Sequence, residues 1–381
     1  MKSKVYFIGA ADHDTKDNII AKFNHLLDKS NILDIVSEND EVAVKMHFGE
    51  EGNTGFVKPA YVRCVCDALT KKGSKVVVSD TNTLYRGKRL NAKDHLMLAH
   101  EHGFTEEAIG APVVIAEGNE SVNMQGRFIK NAMIAPLFLK PNCIIGISHF
   151  KGHVMTGFGG SLKNIGMGCA SREGKLAQHS SVSPFVRFKN CIGCGECKKI
   201  CPVGAIDINT PLTPSSFASL RTSFSPMGRE GVRQRTEPPK AQIDSSKCIG
   251  CASCIAACPS SAIDIHWESG AGDIQEKMIE YARAVLETKK EKSAFVNFAI
   301  KITKECDCLA KDDPRIAPDI GIFESVDPVS VDKASFDAVK SACGKDIFKE
   351  AWPERDWSKQ LNYAQKIGLG NLNYELITLG T

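Results

Sequence analysis

The spacing Cys191-x2-Cys194-x2-Cys197-x3-Cys201-Pro202 constrains this chain more than any other feature, because Cys248, Cys251, Cys254, Cys258 and Pro259 repeat it. The flanks repeat too. CIGCGECKKICPVGAIDI matches CIGCASCIAACPSSAIDI at 11 of 18 positions, so the pair reads as an internal duplication. Three thiolates this close together wrap three corners of a cubic inorganic cluster, while a tight turn at Gly193 or Gly250 points backbone N–H groups at its sulfides. The fourth cysteine, stiffened by the proline behind it, starts a short helix aimed at the other cluster. The expected ligand sets therefore cross over: Cys191, Cys194 and Cys197 with Cys258, and Cys248, Cys251 and Cys254 with Cys201. Structural zinc would use separated C-x2-C pairs rather than a triple followed by Cys-Pro. Disulfides need an oxidising compartment, and the opening MKSKVYFIGAAD is too short and too quickly polar for a secretory signal. The expectation is a cytoplasmic protein with two 4Fe–4S clusters.

The rest of the composition is ordinary and excludes several classes. A chain of 381 residues, 43% hydrophobic and 24% charged, is long enough for two or three packed domains and is not disordered. A net charge of +3 is far short of a nucleic-acid footprint. No apolar run approaches the roughly 20 residues of a membrane helix. Short β-branched runs at 5–9, 41–48, 75–80, 113–117 and 142–150 alternate with helical spacing at 16–28 and 58–72. After the cysteines, a helix over 273–288, a strand over 294–302, DIGIF (319–323) and a helix from about Pro328 to Ala342 return to the same style. This predicts an α/β fold with a mostly parallel sheet, built from 1–183 and 269–381, into which a ferredoxin-like 2x(4Fe–4S) domain (α+β) is inserted over 184–268. Within that domain, 209–242 is rich in Ser, Thr and Pro, carries Arg221, Arg229, Arg233 and Arg235, and reads as a surface excursion.

Three stretches outside the cysteine repeats invite chemistry. HFGEEGNTGFVKP (47–59) links a strand to a helix, with glycines that let backbone approach a ligand and Lys58 beside Pro59. It is either an anion site or a plain tight connection, and it lacks the P-loop order. HFKGHVMTGFGGSLKNIGMGCASREGKLAQHS (149–180) reads as a glycine-rich loop crowding Gly159 and Gly160 around Lys163, with His149 and His153 before it and His179 after. It offers acid–base or metal-ligating imidazoles, and an amine for anion binding or covalent attachment. ITKECDCLAKDD (302–313) carries Cys306 and Cys308. At a strand end these two thiols would share one side, with Asp307 turned outward, and would suit a soft metal, a cluster edge or a redox pair; chance burial is the plain alternative. Cys64 and Cys66 fall inside a helix as packing, while Cys143, Cys169 and Cys343 have no assigned role. No G-x-G-x-x-G follows a strand, which argues against a nicotinamide cofactor, and no motif supports a flavin.

These stretches, taken with KMHFGEEGNTGFVKP, VVVSDTNTLYRG, KGHVMTGFGGSLKNIGMGC, CDC and DIGIFESVDPVSVDKAS, resemble the family catalogued as domain of unknown function 362 in its ferredoxin-containing form, over nearly the whole length. That resemblance implies a cytoplasmic iron–sulfur protein, commonly of anaerobes. HVMTGFGGSLKNIGMG is also similar to the His…Gly-Gly-x-Lys…Gly segment of nickel-pincer lactate racemases. This would make His153 the acid/base, Lys163 the carrier of a covalent cofactor and His179 a nickel ligand. The racemases' second catalytic His has no counterpart here, where TNTLYRG with Tyr85 and Arg86 stands instead.

The function expected is an iron–sulfur oxidoreductase that relays single electrons between a redox partner protein (ferredoxin, flavodoxin or reductase) and a small-molecule pocket near His153 and Lys163. The alternatives are a non-enzymatic electron carrier and a racemase-like isomerase. Neither nucleic acid nor membrane is expected as a partner.

Overall fold

A computed structural model describes residues 2–85, 87–179, 183–209, 238–266 and 273–380. The excursion over 209–242 falls mostly outside these residues, with its four arginines, and so does Arg86. The chain divides into two compact units, one drawn from residues 1–179 and 270–381, the other from 180–269.

The larger unit is α/β. Its main sheet is made of β1 (Ser3–Gly9), β2 (Glu41–Lys45), β3 (Lys75–Thr81), β4 (Val113–Ala116), β5 (Cys143–His149), β6 (Ser293–Ala299), β7 (Gly321–Ser325) and β8 (Tyr374–Leu379), laid side by side as β8-β1-β7-β6-β5-β2-β3-β4. Pairing is parallel except at β7, which runs against β1 and β6. The sheet is therefore mixed but mostly parallel. Every residue of β5 is buried, as a near-continuous apolar run requires when helices cover both faces. Successive side chains point to opposite faces: Ile144, Phe295 and Phe323 enter one core, while Ile145, Ile147, Val296, Phe298 and Ile322 enter the other.

The helices that cover these faces have local stop and start signals. Lys16–Ser30 opens with a reciprocal Thr15–Asn18 capping box and closes on Asn31 in the left-handed region. Pro328–Cys343 starts at Asp327, whose carboxylate accepts from the amides of Val329 and Ser330, and ends at Gly344 with φ 66°. Asp332 in its second turn is fully buried and accepts from the Ser161 and Leu162 amides at 2.7 and 3.0 Å. It thereby fixes the start of the helix Ser161–Gly166.

Chain order reverses between β2 and β5: β3 and β4 are added on one side of β2, and β5 and β6 on the other. In open α/β sheets, the crevice beyond the carboxyl ends of the strands at such a switch point is where ligands bind.

Sequence reading missed part of this unit. Residues 149–180 do not form one loop. Lys151–His153 pairs with Gly157–Gly159 as an antiparallel ribbon, followed by the helices Ser161–Gly166 and Arg172–His179. Cys306 and Cys308 lie in a turn closed by the Leu309 amide on the Cys306 carbonyl at 3.1 Å, beyond the end of β6. The edge strand β8 and the helix Ser358–Lys366 also escaped, because both pack only one side and alternate weakly.

One buried carboxyl makes stability depend on pH. Glu324 on β7 is fully buried, its single side-chain partner is the Ser30 hydroxyl at 2.7 Å, and burial pushes its pKa up to about 8. The folded state thus holds this proton more tightly than the unfolded chain, where Glu titrates near about 4.3. The group's stabilising contribution is complete below that value and is lost as pH rises through about 8. Glu324→Gln is expected to flatten the decline in denaturation midpoint between about pH 5 and pH 8. A decline of unchanged slope in the variant would show that the carboxyl ionises freely.

The smaller unit repeats itself. The strand pairs are Phe185–Val186 with Ile263–Asp264 and Ile206–Asn209 with Lys240–Ile243, and the helices Glu196–Ile200 and Ser253–Ala257 lie against each other. Each helix follows a left-handed residue, Gly195 or Ala252, and ends in an extended cysteine, Cys201 or Cys258. Ile206 and Ile263, equivalent in the duplication, join Cys191, Cys197 and Cys254 in one small core. Among the described residues, no helix is long and apolar enough to cross a membrane.

Candidate functional site

The cysteine repeats build two cavities. Cys191, Cys194, Cys197 and Cys258 line one. Cys201, Cys248, Cys251 and Cys254 line the other. The left-handed Gly193 and Gly250 (φ 70° and 71°) turn the chain between the first two cysteines of each triple. Amides already aim at sulfur: Ala205 at Cys201 (3.2 Å), Ala262 at Cys258 (3.2 Å) and Ala241 at Cys191 (3.4 Å). Four cysteine sulfurs per cavity, with N–H donors on three of the sulfurs, fit iron–sulfur ligation. Each set draws its fourth sulfur from the other motif.

A second assembly lies at the carboxyl ends of β2, β3 and β5. Lys45 ends β2 with its side chain 1% exposed, and its amine bonds Asp80 Oδ1 (2.9 Å), the Met46 carbonyl (2.7 Å) and Asn164 Oδ1 (3.0 Å). Asn164 in turn spans the switch point, donating to the carbonyls of Lys45 and Ile147 and to the Ser148 hydroxyl. Arg89 lies 3.1 Å from Glu50 and 3.6 Å from Asp80, all nearly buried. Burial alone would raise the Asp80 carboxyl, but Lys45, His47, His95 and Arg89 outweigh it and hold the carboxyl well below the usual carboxylate range. Lys175 donates to the Asn82 carbonyl at 2.7 Å and also contacts Thr81; burial brings its amine down to about 7. His47 Nδ1 takes the Gly49 amide, and its buried Nε2 has no hydrogen-bond partner among the described residues.

A neighbouring layer carries the thiols. Asp307 is buried and bonds His149 Nδ1 (2.8 Å) and Lys151 Nζ (3.2 Å). It therefore does not turn outward between the cysteines; the His149 ring and the Lys151 amine hold it inside. Lys163 Nζ is 3.5 Å from Cys306 Sγ. A hydrogen bond from Cys308, with Lys163 and Lys151 nearby, draws the Cys306 thiol well below its ordinary value, and that same bond pushes Cys308 up. Cys306 is buried, whereas Lys163, Cys308, Tyr85 and His47 are half-buried and form the accessible side of the assembly.

The matching family model, Domain of unknown function (DUF362), spans residues 42–337, which includes both assemblies. The chain belongs to this family. Two curated relatives are each 33% identical: over 75 residues, a component of an ion-translocating oxidoreductase complex of Methanosarcina acetivorans, and over 73 residues, a component of the NADH-quinone oxidoreductase of Pelobacter propionicus. These matches cover 20% and 19% of the DUF362 chain and 18% and 31% of the relatives, so the chain spans less than a third of either one. Among solved structures, the lactate racemase apoprotein of Thermoanaerobacterium thermosaccharolyticum is 14% identical with a TM-score of 0.33, covering 46% of this chain and 41% of the other. A Thermotoga maritima protein is 11% identical with a TM-score of 0.37, covering 87% and 59%. Both scores are too low to support an argument.

The residues singled out in the DUF362 sequence sort themselves by position. Lys163 and Lys151 both lower the His153 pKa, after burial, and His179 acts on it too, so the structure brings His153, Lys163 and His179 into one neighbourhood. Burial takes His179 down to about 4. Gly159 and Gly160 make room for the chain itself: a Cβ would lie 2.8 Å from Lys163 Cδ at the first and 2.3 Å from Asp332 Oδ1 at the second. Lys58 stays with its own loop, donating to the Thr54 carbonyl at 2.6 Å and lying 4.0 Å from the Phe56 ring centre. Sequence reasoning did not single out Lys45, Glu50, Asp80, Arg89, Lys151 and Lys175. The available signal was a charged residue at the end of an apolar strand, as in EVAVK and KVVVSD.

Proposed function

We propose that this protein is an iron–sulfur oxidoreductase with two 4Fe–4S clusters, one on Cys191, Cys194, Cys197 and Cys258 and the other on Cys248, Cys251, Cys254 and Cys201. They exchange electrons with a redox partner protein and serve a small anionic molecule at the strand ends. The observation that carries this reading is the pair of cavities, each lined by four cysteines. When bound, such clusters supply single-electron transfer at potentials within about −700 to +450 mV. The chain's own residues supply the rest. The buried Lys45, Arg89 and Lys151 stand against the buried Asp80, Glu50 and Asp307, so the half-buried Lys163 and Lys175 are the amines left over for a ligand. Such amines on the accessible side suit a carboxylate or phosphate. Lys163, half-buried, orients the anion. Lys175, whose amine burial brings down to about 7, can give or take the proton that accompanies the electrons.

The test uses anaerobic, reduced protein mixed with small carboxylates and phosphates, with cluster absorbance followed as it bleaches back. Lys163→Ala is expected to slow substrate-dependent reoxidation roughly 10–100-fold, the worth of one charged hydrogen bond of about 1.5–3 kcal/mol, at unchanged cluster content. Equal rates in wild type and variant would leave the α/β unit as a partner-docking body on an electron carrier.

A further inference from the structure

Among the described residues outside the cysteine repeats, one group of donor atoms has the chemistry of a metal site. The ligand atoms of His153, Cys306 and Cys308 all lie within 4.8 Å of one another. Three donors at about 2.0–2.3 Å from a tetrahedral ion would stand somewhat under 4 Å apart, so a small closing movement suffices.

Several features hold the group in place. The Gly152 amide, next to His153, donates to the Thr303 carbonyl at 2.9 Å. A Cβ at Gly152 would lie 2.3 Å from the Lys304 carbonyl, so only glycine lets the ribbon approach the cysteine turn this closely. Thr156, fully buried, lies 2.9 Å from His153 Nδ1 through its hydroxyl, and the Met155 and Thr156 amides approach the same nitrogen at 3.3 Å. Nδ1 is thus occupied, and Nε2 is left to ligate. Asp307, between the cysteines, is tied to His149 and Lys151 and anchors the turn from behind. Such outer contacts fix ligand orientation at metal centres.

We propose that His153, Cys306 and Cys308 bind one thiophilic divalent transition-metal ion. Two thiolates and one neutral imidazole balance its charge, and both thiol protons are released on binding. Three protein ligands leave the fourth position open, the arrangement of catalytic rather than structural sites. Lys163, 3.5 Å from Cys306 Sγ, places an amine beside one of the two sulfur ligands. Three soft donors fall short of the four that a cubic cluster takes, which favours a single ion. This inference goes beyond the electron relay and stands without it.

Cobalt(II) tests it. Anaerobic holoprotein, its cluster iron counted beforehand, is titrated with cobalt chloride. The expected result is one cobalt per chain, with thiolate-to-metal charge transfer in the near ultraviolet and tetrahedral ligand-field bands in the visible. His153→Gln and Cys308→Ser should each weaken binding at least about 10-fold with cluster iron unchanged. Wild type that takes up no stoichiometric cobalt overturns the proposal, and so does a Cys306–Cys308 disulfide found after anaerobic isolation. Equal uptake in the variants also overturns it, since the ion would then sit elsewhere. The wild-type titration needs no variant to fold. Loss of the cluster assignment would appear separately, in the initial iron count.

Discussion

Replacing Cys258 with alanine is expected to abolish the same cluster as replacing Cys191, although 67 positions separate them in the chain. Both line one cavity with Cys194 and Cys197. Cys201→Ala and Cys248→Ala should likewise act alike, on the other cavity. Each variant should fall from about eight irons per chain to about four, and the spectrum of the remaining cluster should identify the cavity. If each motif kept its own fourth cysteine instead, Cys258→Ala would pair with Cys248→Ala. Anaerobic iron analysis with electron paramagnetic resonance on the reduced variants distinguishes these outcomes.

Lys45→Met is expected to cost about 3–5 kcal/mol of stability, the penalty for stranding one member of a buried ion pair. The Lys45 side chain is 1% exposed and that of Asp80 4%, so no water would take over the lost contact. Arg89, 3.6 Å from the other Asp80 oxygen, limits the damage and places the loss toward the lower end. The effect should reach further than stability. The Lys45 amine also holds Asn164, and Asn164 ties β2 to β5 at the switch point. Chemical denaturation that shows a shifted midpoint and an unchanged m-value would confirm it. A loss under about 1 kcal/mol, the worth of an exposed pair, would mean that water reaches the carboxylate.

What could be read from the sequence followed the distance over which each signal acts. The cysteine repeats are legible because their geometry is set by spacings of two and three residues, and the left-handed Gly193 and Gly250 stand inside them. Strands β2, β3 and β5 are legible because parallel strands covered on both faces must be apolar throughout. The ion network is not, because Lys45, Asp80, Arg89 and Lys175 come from separate stretches and meet only when the sheet assembles. Asp307 shows the hazard of a local rule. Strand alternation turns it outward, but the cysteines sit in a turn, and His149 and Lys151, more than 150 positions away, draw its carboxylate inside. The glycines of 157–168 were visible as crowding but not as to purpose. At Gly159 and Gly160 the space belongs to Lys163 and Asp332, which position the helix that faces the thiols.

The pH dependence set by Glu324, the Lys163 rate effect and the cobalt titration each probe one part of the α/β unit, and any of them can fail alone. The cluster assignment cannot fail without taking the electron relay with it. Iron and acid-labile sulfide, measured on one oxygen-protected preparation of the full chain, test it most directly. The expected result is about eight of each per chain. A colourless protein, or zinc held by the duplicated cysteines, would contradict it.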